Sequence, residues 1–147
     1  MSTGSVKPTV KRDRDLAGKP EEAYVWMRLL QHGMLPCLPL VDCRGFDALV
    51  RLTDARCVRL QVKSRGEPLP ATGGYGEQIK SLWWTEGVLG FDYLVIVLRL
   101  EGEDGYQAWV VPADVIQPRL KSRGDLTLSR KLLRVDWARY RECWNLD

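Results

Sequence analysis

Apolar residues recur at helical spacing near the start of the chain. The residues that follow this three- and four-residue rhythm are Val25, Trp26, Leu29 and Leu30. Pro20 suits a first helical position, acidic residues follow it, and Gly33 suits a helix end. We therefore predict a helix over residues 21–31.

Strand-like patterns follow the helix. The runs 46–52 and 57–64 are separated by a short polar turn, and the near-continuous apolar run 91–100 is typical of a buried central strand. The remaining predicted segments are an edge strand or extended lead-in at 35–41, a strand at 107–111, a short helix at 112–116, and a terminal helix at 136–145 with Val135, Tyr140 and Cys143 or Trp144 facing inward. This order predicts an α/β (α+β) domain with three layers around one sheet.

Size and composition fit one globular domain. The chain has 147 residues, of which 45% are hydrophobic and 28% charged. We expect a flexible basic arm at 1–17 and a single domain at 18–147. No apolar run reaches the roughly 18 residues that a membrane span needs, and no secretory signal is recognised, so we expect a cytoplasmic protein.

Charge is distributed unevenly along the chain. The net charge is +3, with basic ends on either side of a mildly acidic middle. This arrangement is compatible with phosphate-backbone contacts around an acidic, metal-binding centre. On charge alone, an ordinary solvated surface is the simpler interpretation.

Cysteine and histidine usage excludes several chemistries. The four cysteines, at 37, 43, 57 and 143, fit no zinc-site spacing. Without a secretory signal, we expect them to be reduced and mostly buried thiols. The single histidine, His32, excludes a histidine-rich metal site, and no nucleophile elbow accompanies it.

Four polar residues stand where the pattern directs them inward. Glu22 precedes Val25 by three residues and continues the apolar stripe, whereas Glu21 is rotated about 100° away and suits the surface. The other three interrupt the predicted strands: Asp47, Gln61 and Lys63. Gln61 and Lys63 are two residues apart and therefore share one face of their strand.

The hairpin register decides whether Asp47 joins that face. In an antiparallel pair, opposed residues share a face, so Asp47 joins Gln61 and Lys63 only if paired residue numbers have an even sum. This requires a loop with an odd residue count, for example 54–56, in which Asp54 suits the left-handed region. A two-residue turn would place Asp47 on the opposite face.

In the required register, one patch combines oxygen donors with a lysine. A helix laid over this patch would add Glu22 as a second carboxylate. Oxygen atoms of Asp47 and Gln61, with the backbone carbonyl of Val62, suit Mg²⁺. Lys63 could stabilise a phosphate oxyanion or orient and help deprotonate a hydrolytic water. The alternative is an inward salt bridge of Lys63 with Asp47 or Glu22 that only satisfies buried charge.

The order of these residues resembles that of the PD-(D/E)XK nuclease superfamily. The resemblance rests on an acid in the first helix, then GFDALV, then LQVKSR, and covers residues 18–116. The D…QxK variant is similar to that of small homing-endonuclease-like and Holliday-junction-resolvase-like members. The resemblance implies a restriction-endonuclease-like core, in which a central mixed sheet is flanked by helices.

The resemblance also implies roles for individual residues. Asp47 and Gln61 would be metal ligands, Lys63 the catalytic lysine, and Glu22 the acid that ligates metal through water or holds Lys63. It further implies Mg²⁺ or Mn²⁺ as cofactor, nucleic acid, above all DNA, as partner, and a homodimer or tetramer.

Further residues are candidates for weaker contacts with nucleic acid. Arg44 and Arg65 flank the motif residues and could hold phosphates, with surface solubility as the alternative. Tyr75 lies in the glycine-rich stretch 71–76 and Lys80 follows it; this stretch could be a flap over the site or a plain loop.

A tryptophan pair and a basic stretch near the C-terminus each allow two interpretations. Trp83 and Trp84 are adjacent and cannot face the same way, so we expect one in the core and one exposed to a base or a partner. The densest basic stretch could grip a duplex or simply be solvated; it comprises Arg119, Lys121, Arg123, Arg130, Lys131, Arg134, Arg139 and Arg141.

Together, the sequence predicts a metal-dependent endonuclease that hydrolyses phosphodiester bonds. The alternative is a catalytically inactive module of the same fold that binds nucleic acid or protein.

Overall fold

A computed structural model describes residues 19–41, 45–70, 73–74 and 77–146, and the predicted arm at 1–17 lies outside them. The helices and strands are α1 (Lys19–Gln31), β1 (Leu35–Cys37), β2 (Ala48–Arg51), β3 (Cys57–Ser64), β4 (Gln78–Trp83), β5 (Tyr93–Leu98), β6 (Gln107–Pro112), α2 (Ala113–Ile116) and β7 (Asp125–Ser129).

Five strands form one mixed sheet in the order β1-β2-β3-β5-β6. β3 and β5 are parallel, and the other neighbouring pairs are antiparallel. β4 and β7 pair separately as an antiparallel two-stranded ribbon. The predicted α+β architecture, a central mixed sheet flanked by helices, is confirmed.

The central sheet has two chemically different faces because side chains alternate along each strand. The helix face is covered by α1 and is lined by Leu60, Val62, Val95 and Val97. The ribbon face is covered in part by the β4–β7 ribbon and is lined by Gln61, Lys63, Leu94 and Ile96. The domain therefore has two apolar clusters, one on each side of the sheet.

The ribbon was not among the sequence-predicted elements. In β7, the buried Leu126 and Leu128 alternate with half-buried residues, whereas the buried residues of β4, Ile79 and Leu82, are three apart because the register shifts between Gln78 and Lys80. The two strands are far apart in sequence, and each is too short to bury a face alone, so their pairing depends on the tertiary structure.

The predicted terminal helix at 136–145 is wrong. A π-helical turn covers Leu132–Asp136, a 3₁₀ turn covers Ala138–Tyr140, and an irregular segment follows. Glu142 has a positive φ of 50°, so a right-handed helix cannot continue through it. Trp144 packs in the apolar cluster on the helix face of the sheet. Tyr140 and Trp144 are buried as expected, whereas Val135 and Cys143 are exposed.

The cysteine prediction needs a further correction. Cys37, Cys57 and Cys143 are free but exposed, so they are not buried core thiols. Cys43 lies outside the described residues. In the part of the chain that the structure describes, no helix has the length and apolar character of a membrane span.

Candidate functional site

The β2–β3 hairpin has the register that the site hypothesis requires. Ala48 opposes Leu60 and Arg51 opposes Cys57, and both pairs have the even sum 108. Asp47 lies just before the paired residues, and its backbone N–H donates at 2.7 Å to the carbonyl of Leu60, the residue that opposes Ala48. Asp47 and Ala48 therefore both oppose Leu60, as in a β-bulge, so the even register is confirmed as far as Ala48 and the position of Asp47 is set by its own contacts.

The turn that sets this register differs from the example predicted. The Leu52 N–H donates to the Arg56 carbonyl at 2.7 Å, so the loop is 53–55 rather than 54–56. Ala55, not Asp54, takes the left-handed conformation, with φ of 70°. Asp54 instead accepts from the Arg56 N–H at 3.1 Å, which stabilises the turn through its side chain.

The Asp47 carboxylate is tied to the middle of the motif on β3. It is half-buried, and its Oδ2 accepts from the Val62 N–H at 2.7 Å. Because Val62 lies between Gln61 and Lys63, this bond brings the carboxylate to the backbone that carries both side chains. Where the backbone pairing of β2 with β3 ends, the Asp47 side chain therefore takes the place of a backbone acceptor for the Val62 N–H.

The Gln61 side chain is held by a tryptophan that directly follows strand β4 of the ribbon. Its Oε1 accepts from Trp84 Nε1 at 2.8 Å, and the indole is buried. The neighbouring Trp83 is 61% exposed, so the prediction of one buried and one exposed tryptophan is confirmed.

A second lysine, Lys80, lies close enough to Lys63 for their charges to interact. Among the described residues, the half-buried Lys63 ammonium has no ion-pair partner, so the predicted inward salt bridge with Asp47 or Glu22 is not found there. Lys80 donates from Nζ to the Ser64 carbonyl at 2.5 Å. Burial and the positive charge of Lys63 lower the pKa of Lys80.

The first helix places its acids differently from the prediction. Glu21 is 3% exposed and its Oε2 has no hydrogen-bond partner in the described structure, whereas Glu22 is half-buried. The buried stripe follows four-residue steps through Glu21, Val25 and Leu29. Its centre therefore lies one position away from Glu22, and the assignment of Glu21 to the surface is wrong.

The helix also lies on the other side of the sheet from the motif side chains. Val25 and Leu29 pack in the cluster of the helix face with Leu60 and Val62. Since β3 alternates, Gln61 must point away from α1, so α1 does not cover the patch as predicted. An acid from α1 could approach the patch only around the end of the sheet.

The oxygen donors around β3 have the chemistry of a hard-cation site. Asp47 offers a carboxylate, Gln61 an amide oxygen and Val62 a backbone carbonyl, which suit Mg²⁺ or Mn²⁺. No group of three or more His, Cys, Asp or Glu side chains within the described ranges is placed to hold a metal ion. Any cation here would therefore depend on the amide and carbonyl oxygens.

The remaining sequence candidates are placed as follows. Arg65 is half-buried just beyond β3, while Arg44 and Tyr75 lie outside the described residues. Arg130, from the basic C-terminal stretch, is 3% exposed, and its Nε lies 3.0 Å from Glu77 Oε2. It is therefore a structural residue at the base of the glycine-rich stretch, not part of a solvated or DNA-gripping face.

Comparisons with known proteins identify a structural neighbour. No protein-family model matches the chain, and no curated protein matches it. Among solved structures, it resembles a bacterial homing endonuclease, I-Ssp6803I. The TM-score is 0.61 at 22% sequence identity, with 90% of each chain covered.

The likeness to I-Ssp6803I shows that the two chains share a fold. The coverage of 90% of both chains means that the likeness extends well beyond the β2–β3 hairpin. The predicted α+β core is therefore confirmed by both topology and comparison. The roles of Asp47, Gln61, Lys63 and Glu22 stay predictions.

Proposed function

We propose that this protein is a metal-dependent endonuclease that hydrolyses phosphodiester bonds in DNA. The observation that carries the proposal is the bond from the Val62 N–H to Asp47 Oδ2, which brings the Asp47 carboxylate to the strand segment that carries Gln61 and Lys63. The fold shared with a homing endonuclease supports the same function. The D…QxK order supports membership of the PD-(D/E)XK superfamily.

In this proposal, Asp47, Gln61 and the Val62 carbonyl hold Mg²⁺ or Mn²⁺. When bound, the cation would neutralise charge on the attacked phosphate and lower the pKa of the hydrolytic water. The bond from the Val62 N–H to Asp47 Oδ2 orients the carboxylate and joins it to the strand that carries the other donors.

We assign the helix acid of this site to Glu21 in place of Glu22. A buried carboxylate oxygen without a hydrogen bond is costly unless a cation or a proton accompanies it. α1 ends where Gly33 approaches Thr53 of the hairpin turn. Glu21 lies about 18 Å back along the helix, and Asp47 about 20 Å back along β2, so we infer that both lie at the same end of the sheet.

Lys63 supplies positive charge to the scissile phosphate. Without an acidic partner in the described structure, its ammonium can donate to a phosphate oxygen or orient the attacking water. Lys80 adds a second positive charge beside it, and Arg65 lies directly after the end of β3. Arg44 and Tyr75 are proposed as further contacts with nucleic acid.

One site cuts one strand, so cleavage of both strands of a duplex calls for two copies of the chain. We therefore propose a homodimer or tetramer as the active form. Analytical ultracentrifugation with and without duplex DNA would test this, and a monomer that cuts both strands would contradict it.

The function is tested with a panel of DNA substrates and the full chain. Plasmid, linear duplex, single-stranded and branched DNA are incubated with Mg²⁺, Mn²⁺ or EDTA. We expect cation-dependent cleavage that falls about 100-fold or more in Lys63→Ala and in Asp47→Ala. Asp104→Ala, in an exposed turn away from the hairpin, is the matched control and should cut normally.

A second candidate function is a non-cleaving module that binds nucleic acid or protein. The engagement of Gln61 Oε1 by Trp84 favours it, because one potential ligand atom already has a partner. If no substrate in the panel is cut while duplex DNA is bound, this second function replaces the first.

A further inference from the structure

Gln61 poses a problem that an acid at the same position would not. A carboxylate presents two equivalent oxygens, whereas an amide presents one oxygen and one NH₂ group. A flip of the amide would turn two N–H donors toward a cation and repel it. A glutamine ligand therefore needs a neighbour that selects its orientation.

Trp84 is placed to make that selection. The indole Nε1–H can only donate, and it lies 2.8 Å from Gln61 Oε1, so it fixes which amide atom is the oxygen. The carbonyl oxygen has two lone pairs, and one of them stays available beside the indole bond.

Trp84 is itself held by residues next to the ribbon. Its ring centroid lies 5.6 Å from that of Phe91, and the Trp84 backbone N–H donates to the Gly124 carbonyl at 3.0 Å. Gly124 has φ of 79°, and a Cβ there would collide with the Trp84 carbonyl oxygen. Packing from two sides thus keeps the donor pointed at β3.

We propose that Trp84 is a positioning residue that locks the Gln61 amide in the orientation able to ligate a divalent cation. This rests on the proposed function, since it assumes that Gln61 faces a cation. It explains how a glutamine can stand at a ligand position: the ribbon supplies the orientation that the side chain lacks.

The test replaces the donor and keeps the packing. Trp84→Phe retains an aromatic ring against Phe91 but removes the N–H. We expect Mg²⁺ and Mn²⁺ to bind about 10-fold more weakly to the full-length protein, measured by calorimetry without DNA. In ¹H–¹⁵N spectra of the wild type, the Trp84 indole signal, identified by its absence in Trp84→Phe, should shift in Gln61→Ala.

A rescue experiment separates positioning from general structure. Gln61→Glu replaces the amide by a group with two equivalent oxygens, so Trp84→Phe should cost no cation affinity in that background. Trp109→Phe is the matched control, because Trp109 is also buried and its Nε1 donates to the Leu133 carbonyl at 2.8 Å, away from β3. It should leave cation affinity unchanged.

The outcomes distinguish this proposal from the proposed function. Unchanged or tighter cation binding in Trp84→Phe would overturn the positioning role, as would an equal loss in the Gln61→Glu background. If the wild type binds cations with the expected Trp84 dependence but cuts no DNA, the endonuclease function fails and the positioning role stands. If it binds no divalent cation, both are overturned.

Discussion

Consecutive side chains of β3 point to the two faces of the central sheet. The two faces differ in how far their charged groups are paired with other protein groups. On the helix face, the Glu142 carboxylate accepts from Tyr24 Oη, the Ala108 N–H and Trp144 Nε1, and Arg28 lies 3.5 Å from it. On the ribbon face, Lys63 is half-buried and lacks an ion-pair partner within the described residues.

The contrast separates groups that hold the fold from groups that are available to a ligand. Glu142 is saturated by protein donors, so its contacts join the C-terminal segment to α1 and β6. Among the described residues, Lys63 and Lys80 form no ion pair, although Lys80 donates to the Ser64 carbonyl, so an anion could compensate their adjacent positive charges. Changes on the helix face should therefore lower stability, and changes on the ribbon face should lower activity.

The largest effect on stability is expected from Trp144→Ala on the helix face. Trp144 is 1% exposed, and its indole also donates to Glu142 Oε2 at 2.6 Å. We expect the free energy of unfolding in urea to fall by about 3–5 kcal/mol because a large buried side chain leaves a cavity. A loss below about 1 kcal/mol would show that the C-terminal segment does not close this face.

A smaller loss of stability is expected from Gly90→Ala, at the point where the loops that lead into β2 and β5 meet. A Cβ on Gly90 would lie 2.9 Å from the Gly45 Cα, so Gly90→Ala forces the loops apart. We expect a loss of about 1–3 kcal/mol in urea, together with slower DNA cleavage because Asp47 follows Gly45 closely. A Cβ on Gly66 would have no atom within 4 Å, so Gly66→Ala should change neither stability nor cleavage rate. Equal effects of Gly90→Ala and Gly66→Ala would contradict this account.

The smallest expected effect is that of Tyr24→Phe. The pH dependence of its stability tests the hydrogen bond between Tyr24 and Glu142. Burial, with the bond to Glu142, raises the pKa of Tyr24 from 10.0 to about 12. A raised pKa in the folded state gives stability that is complete below pH 10 and is lost as the pH rises toward 12. The stability difference between the wild type and Tyr24→Phe should therefore be constant below pH 10 and shrink above it; a constant difference to pH 11.5 would contradict the bond.

Much of the central sheet follows from local pattern. β3 runs from Cys57 to Ser64 as predicted, and the β2–β3 hairpin has the even register that the parity argument required as far as Ala48. A wrong choice of loop residues did not matter, since 53–55 and 54–56 both have an odd count.

Other features depend on neighbours that are distant in sequence. Glu21 and Glu22 differ by one helical step, so the centre of a broad apolar stripe could not be fixed without the sheet it packs on. The alternation of β7 is visible as DLTLS and could have been found, but its pairing with β4 could not. The bond between Trp84 and Gln61 likewise requires the folded ribbon.

The division between the two faces of β3 is tested most directly by two substitutions on that strand. Leu60→Ala and Lys63→Ala are compared in urea unfolding and in single-turnover DNA cleavage at a temperature where both are folded. We predict that Leu60→Ala loses about 2–5 kcal/mol of stability and still cuts DNA. Lys63→Ala should keep its stability within about 1 kcal/mol and lose cleavage about 100-fold or more. Cleavage by Lys63→Ala at the wild-type rate, or a loss of stability with no loss of rate, would contradict the account.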